Sequence, residues 1–184
     1  MGQINTLYGP RPKTIMDRFT RLKLLVCDVD GVFSGGRIYL GNQGEELKAF
    51  HTRDGYGVKA LVNIGIQVAV ITGRRSAIVE QRMGALGVQH IIQGCEEKQQ
   101  ALEALQAKLG IAKDATAVIG DDMPDIGMFN RAGMGIAVAD AHPFVQNSAI
   151  YVTQLGGGRG AVREVCDLIL HAKGQLNKFH GTSS

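Results

Sequence analysis

Residues 22–31 read LKLLVCDVDG, and the reading of this stretch decides the fold. Leu24, Leu25 and Val26 make a short apolar run that enters Cys27-Asp28-Val29-Asp30-Gly31, where two carboxylates stand two residues apart. A parallel strand covered on both faces reads as a continuous apolar run rather than an alternation. The run is therefore expected to be a buried strand, with the acids at the mouth where its carboxyl end opens into a turn. In open α/β sheets that edge is where ligands bind. Two carboxylates held so close favour each other's protonation unless a cation or a basic neighbour lies between them. A metal ion is the simplest such cation.

Outward from that stretch, strand and helix patterns alternate. Ile38-Tyr39-Leu40 and Leu47-Lys48-Ala49-Phe50 flank Gly41-Asn42-Gln43-Gly44, which is turn chemistry for a β-hairpin and predicts a flap beyond the first strand. A helical pattern through Val58, Leu61, Val62 and Ile64 follows His51-Thr52-Arg53-Asp54-Gly55 and stops at Gly65. Ile66 to Thr72 reads as the next strand, and Gly73-Arg74-Arg75-Ser76 leads into a helix to Leu86, with Ser76 its expected N-cap and Glu80 close by. Val88 to Ile92 is a short strand. Glu96 to Leu109 is an amphipathic helix with Ala101, Leu102, Leu105 and Leu109 on one face and Gly110 as its stop. Ala115 to Ile119 is a strand ending in Gly120-Asp121-Asp122-Met123-Pro124-Asp125, where Pro124 suits the opening of a helix. Strands at Gly135 to Val138 and Ile150 to Val152 and a helix at Ala161 to Ala172 complete the pattern. The expected fold class is α/β, a Rossmann-like doubly wound parallel sheet with a β-hairpin flap and no large cap domain. Residues 1–21 are expected to be an arm with one short helix, 22–173 the domain, and 174–184 a flexible polar tail.

Composition narrows the function. A chain of 184 residues, 45% hydrophobic, buries one ordinary core. The net charge of +3 is spread over interspersed acids and bases without a basic stripe, which argues against nucleic acid as a partner. Apolar runs are strand-sized and the polar start has no signal-peptide core, so no membrane partner is expected and a cytoplasmic location is. Cys27, Cys95 and Cys166 form no CxxC and fit reduced thiols.

Polar groups stand at several strand ends: Asp28 and Asp30; Thr72 and Arg74; Lys98; and Asp121, Asp122 and Asp125. All carboxyl ends of a parallel sheet share one edge, so these residues can converge. Acids to hold Mg²⁺, with a lysine, a hydroxyl and backbone N–H groups for phosphate oxygens, are the equipment of phosphoryl transfer.

DVDGVFSGG, the ITGR of Ile71 to Arg74, Lys98 and the GDDMPD of Gly120 to Asp125 resemble the four ordered motifs of the haloacid dehalogenase superfamily. GNQGEELKAFHTRDGYGVKAL, VADAHP and GGRGAVREVCDLIL are further similar to the 3-deoxy-D-manno-octulosonate 8-phosphate phosphatases, over roughly Leu22 to Lys173. The resemblance implies a Mg²⁺-dependent hydrolase that releases phosphate from this sugar acid phosphate in lipopolysaccharide synthesis. It makes Asp28 the nucleophile and Asp30 the general acid and then base. It also implies Mg²⁺ on Asp28, the backbone carbonyl of Asp30 and Asp121, and the phosphoryl group on Thr72 and Lys98. Asp122 and Asp125 would support the metal or Lys98 from behind. Sugar-acid contacts are carried over to Asp30, His51, Thr52, Arg53, Asp54, Gly55, Lys59, Arg74, Arg82 and Lys98. Cationic side chains among these suit a substrate with a carboxylate at one end and a phosphate at the other. The family closes its cleft with neighbouring subunits of a homotetramer, which gives Arg159 and Arg163 an interface role. Gly35, where relatives often carry Asp, and Lys59, where some carry Arg, are departures from the pattern.

Each signal has a plainer reading. DxDG alone is more often a turn, Thr72-Gly73 can simply cap a helix, and Lys98 or Arg82 can be a solvated helix charge. The ordered set outweighs these readings for the motifs. His90, His142, His171 and His180 are assigned to no metal, and Cys27 is read as core. GGGRG does not satisfy GxGxxG, although it could hold an anion at the start of the last helix. Two rivals remain: a phosphatase for a nine-carbon sugar acid 9-phosphate, and a phosphoacceptor receiver domain. A receiver's acids and phosphoacceptor lie on different strands, whereas a DxD pair carries its own acid.

Overall fold

The computed structural model describes residues 2–180. They open with an antiparallel hairpin, β1 (Gln3–Thr6) and β2 (Gly9–Pro12), where the sequence alone suggests an irregular arm. Pro10 and Pro12 are tolerated because a two-stranded ribbon has free edges on both sides, so a missing N–H breaks no ladder. The turn is tied by Thr6 Oγ1, which donates to the Gly9 carbonyl at 2.7 Å and accepts the Tyr8 N–H at 3.1 Å. Tyr8 then donates its hydroxyl proton to Asp167 at 2.8 Å, which anchors the hairpin to the body.

Helix α1 (Lys13–Arg21) turns its buried Met16 and Phe19 inward and delivers the chain to β3 (Leu24–Cys27), every residue of which is buried. A second antiparallel hairpin follows, β4 (Tyr39–Leu40) with β5 (Glu46–Leu47). After it come α2 (Thr52–Asn63), β6 (Gln67–Ile71), α3 (Ala77–Ala85), β7 (His90–Ile92), α4 (Lys98–Leu109), β8 (Thr116–Gly120) and α5 (Ile126–Asn130). The chain ends with β9 (Met134–Ala137), α6 (Pro143–Ser148), β10 (Tyr151–Val152), α7 (Ala161–Ala172) and α8 (Leu176–His180). Helix α6 is a second departure, since the sequence reading places no element between the strands at 135–138 and 150–152. Pro143 instead opens a helix whose N-cap His142 accepts the Phe144 N–H on Nδ1 at 3.2 Å. Within the expected tail, residues 176–180 are helical, and Tyr56 on α2 donates its hydroxyl proton to the Phe179 carbonyl at 2.7 Å. Residues 181–184 lie outside the described ones.

Six strands form one parallel sheet in the order β10-β9-β8-β3-β6-β7. From β3 the chain adds β6 and β7 on one side, then crosses back to add β8, β9 and β10 on the other. Adjacent β3 and β8 thus straddle the point where the winding reverses, the place where such sheets carry a crevice. In such a sheet right-handed crossovers put helices on both faces, which is why the strands are mostly apolar. Each fully buried Leu, Ile or Val among them contributes about 1.5–3 kcal/mol.

One expected local device is absent. Ser76 occupies the N-cap of α3 but makes no side-chain capping bond. Its backbone N–H instead reaches Gln93 Oε1 at 2.8 Å, and Gln93 Nε2 donates to Glu80 at 3.1 Å, so the helix start is tied to the neighbouring strand loop. Among the described residues no helix is long and apolar enough to cross a membrane.

Candidate active site

The strand-end residues converge in a cleft of 560 Å³ at the carboxyl edge of the sheet, lined among others by Asp28, Asp30, Thr72, Arg74, Lys98, Asp121 and Asp125. Asp28 directly continues β3, and its N–H donates to the Ile119 carbonyl of β8 at 3.0 Å, so the sheet itself fixes its backbone. Thr72 is pinned in the same way at the end of β6, donating to the Ile92 carbonyl at 2.9 Å.

Lys98 is the first residue of α4 and is buried. A cation is disfavoured at a helix N-terminus, and acids compensate. Its ammonium donates to Asp28 Oδ1 at 2.9 Å and to Asp125 Oδ1 at 2.8 Å. Burial alone would lower the lysine's pKa, but Asp28 and Asp125 outweigh it and the ammonium is held above its ordinary value. Asp125 is engaged on both oxygens, since Oδ2 accepts the N–H groups of Asp121 and Asp122 at 3.0 and 3.3 Å. Asp125 therefore fixes the turn that carries Asp121 while it places Lys98. Asp122 is exposed on the rim, where its Oδ1 accepts the Met123 N–H at 2.8 Å and caps the turn. It lines the cleft beside Asp121 without a contact to Lys98.

One ligand oxygen each from Asp28, Asp121 and Asp125 lie within 4.8 Å of one another. Burial, reinforced by Asp125, raises the Asp28 carboxyl to about 6. Burial, followed by the charges of Asp28, Asp125 and Asp122, raises that of Asp121 to about 8. Asp121 Oδ1 is buried without a hydrogen-bond partner. Gly31, at φ +93°, lets the Asp121 carboxylate press against the nucleophile turn, because a Cβ there would lie 2.0 Å from Asp121 Oδ2. An unsatisfied carboxylate oxygen among crowded acids fits a small hard cation such as Mg²⁺. Asp30 also lines the cleft, and its side chain is not part of this triad.

The remaining predicted contacts lie elsewhere. His51, Thr52, Arg53, Asp54, Gly55, Lys59 and Arg82 do not line the cleft. His51 is the N-cap of α2, its Nδ1 accepting the Arg53 N–H at 3.1 Å. Asp54 is buried, and its Oδ1 accepts the Arg163 N–H at 2.8 Å in the first turn of α7. The anion at the start of this helix is thus the chain's own carboxylate rather than a ligand held by the glycine-rich loop. That loop buttresses the nucleophile turn. Gly158 N–H donates to the Val32 carbonyl at 2.9 Å, and a Cβ on Gly157 would lie 1.7 Å from the Gly31 carbonyl oxygen. Arg82 packs on Gly55, where an added Cβ would lie 2.5 Å from its Nη2. Sequence reasoning missed Lys48, whose ammonium meets Asp30 Oδ1. Its only signal was a cation in an otherwise apolar hairpin arm.

A family profile described as haloacid dehalogenase-like hydrolase matches residues 90–156. The 3-deoxy-D-manno-octulosonate 8-phosphate phosphatase KdsC of Yersinia pestis is 50% identical over 180 residues, covering 98% of this chain and 96% of its own. The crystal structure of the Yersinia pestis phosphatase superposes with a TM-score of 0.94 over 96% of this chain and 95% of that one, at 50% identity. That of Moraxella catarrhalis, in complex with magnesium ion, phosphate ion and KDO, is 44% identical with a TM-score of 0.89, covering 92% of this chain and 97% of that one. The chain belongs to the 3-deoxy-D-manno-octulosonate 8-phosphate phosphatases, within the haloacid dehalogenase-like hydrolases.

Proposed function

We propose that this protein is a phosphoric monoester hydrolase that cleaves 3-deoxy-D-manno-octulosonate 8-phosphate to the free sugar acid and phosphate, in lipopolysaccharide synthesis. The observation that carries the reading is the convergence of Asp28, Asp121 and Asp125 with Lys98 in one cleft. It is supported by the relative that holds magnesium, phosphate and KDO together.

In this reading Asp28 attacks phosphorus as the ester bond breaks, and Asp30 gives a proton to the departing alkoxide. Asp30 then takes a proton from water as the water opens the aspartyl-phosphate. Lys98 and Thr72 hold the phosphoryl oxygens, and Lys98 moves from the Asp28 carboxylate toward the incoming phosphate. Asp28, the Asp30 carbonyl and Asp121 would hold Mg²⁺, which offsets the negative charge of phosphate and carboxylates.

Of the cationic residues meant for the sugar acid, Arg74 lines the cleft, whereas Arg53, Lys59 and Arg82 lie outside the cleft of a single chain. A homotetramer in which Arg53, Lys59 and Arg82 serve a neighbouring cleft brings the two groups together. A phosphate-release assay over sugar phosphates tests the reading. The 8-phosphate of the eight-carbon acid is expected to be the best substrate, with release abolished by EDTA and restored by Mg²⁺. A preference for a nine-carbon acid, or release indifferent to EDTA, would reject it.

A further inference from the structure

The hairpin β4–β5 inverts the usual pattern of burial. Tyr39, Leu40 and Leu47 are 55%, 71% and 64% exposed, whereas the side chain of Lys48, next to them, is wholly enclosed. Lysine is almost never fully buried unless paired, because taking its charge out of water costs several kcal/mol. The ammonium of Lys48 is paired: it donates to Asp30 Oδ1 and lies 3.4 Å from Glu46 Oε1. Asp30 in turn lines the catalytic cleft. A cation from the hairpin therefore reaches into the body and grips one oxygen of a carboxyl group beside the nucleophile.

We propose that Lys48 is the positioning residue for Asp30, an inference that rests on the acid–base role given to Asp30 above. With Oδ1 held by the ammonium, the rotamer of Asp30 is fixed and Oδ2 is the oxygen that exchanges protons. Either protonation state keeps the contact, since a neutral carboxyl still accepts through Oδ1 as its carbonyl oxygen. In the first half-reaction the Oδ2–H bond breaks and the proton passes to the bridging oxygen, while the P–O ester bond breaks and the Asp28–phosphorus bond forms. In the second, Oδ2 takes a proton from water as the water oxygen bonds to phosphorus and the Asp28–phosphorus bond opens. Lys48 touches neither substrate nor phosphorus. It acts through Asp30, and so makes the seating of the hairpin a condition of proton transfer.

The test is the dependence on the leaving group. An alkoxide needs protonation, whereas p-nitrophenolate leaves without it, and kcat/KM reports the first half-reaction. Lys48→Met is expected to lower kcat/KM on the sugar acid phosphate by about 10²-fold and on p-nitrophenyl phosphate by less than about fivefold. Lys48→Arg, which keeps a donor, is expected to recover the alkyl substrate to within about tenfold of the native protein. Equal losses on both substrates would make Lys48 a mere staple of the hairpin, and no loss on either would make it idle; both results overturn the proposal. Asp30→Asn, measured alongside, separates the two claims. If it spares the aryl ester while Lys48→Met does not, the proposal fails and the role of Asp30 stands. If Asp30→Asn falls equally on both esters, the role of Asp30 fails and takes the proposal with it.

Discussion

The carboxyl edge of the sheet and the α2–α3 flank both carry predicted site residues, and the fold treats them differently. At the sheet edge, Asp28, Thr72, Lys98, Asp121 and Asp125 come from separate elements and line one cleft. On the flank, Asp54 turns inward beneath the start of α7 and Arg82 lies along Gly55, and neither lines the cleft of its own chain. Parallel strands must all end at one edge, so chemistry placed there assembles in every folded subunit. Groups on the outer flank have no such guarantee, and in the proposed reading they reach the chemistry only where another subunit presents a cleft to them.

Asp28→Asn strikes the edge most directly. Turnover should fall on the order of 10⁴-fold or more, while the circular dichroism spectrum and thermal midpoint hold or rise, because a crowded buried charge has been removed. Retained hydrolysis would dissolve the distinction between the two regions.

Arg82→Ala probes the flank. In the proposed reading Arg82 makes a charge-assisted contact with the sugar acid, whose loss predicts a rise in KM on the order of 10²-fold with a smaller change in kcat. Co-refolding Asp28→Asn subunits with Arg82→Ala subunits should then restore part of the activity, since some clefts would combine an intact nucleophile with a neighbour's intact arginine. Absence of recovery would place Arg82 in its own subunit's service.

Asp54 offers a smaller effect in stability. Burial raises its carboxyl from 3.8 to about 6, partly opposed by the Arg163 N–H, and its Oδ2 has no hydrogen-bond partner. The native state therefore holds a proton that the unfolded chain has released, so this group's contribution declines as pH rises from about 4 to about 6 and is level above. Asp54→Asn should remove that decline and gain about 2 kcal/mol over the native protein at pH 7, with little difference at pH 4, read from urea unfolding. Any loss of activity in this more stable variant would expose a functional demand on the buried carboxylate.

The smallest effect concerns Ser76, at the start of the helix that carries Arg82. Because its hydroxyl makes no capping bond, Ser76→Ala should shift unfolding by less than about 0.5 kcal/mol, below the ~1 kcal/mol usual for a lost cap. A larger loss would mean that the hydroxyl caps α3 in solution.

The apolar runs at 24–27 and 116–120, the DxD pair and the acids of 121–125 were legible in the sequence, because backbone periodicity and side-chain polarity are local properties. So was the hairpin turn at 41–44. Less legible were β1–β2, whose prolines argue against a strand until one knows that both edges are free, and α6, whose opening proline reads equally as a turn. The partners of buried charges were not legible at all. Lys98 between Asp28 and Asp125, Lys48 on Asp30, and Asp54 on the first turn of α7 each join residues distant in the chain. By itself the sequence determined which groups are present and at which strand ends, because hydrophobic pattern and turn chemistry are written residue by residue. Only the tertiary structure decided which oxygen meets which ammonium, because burying a charge is tolerable only beside its partner, and strand order and helix packing choose that partner.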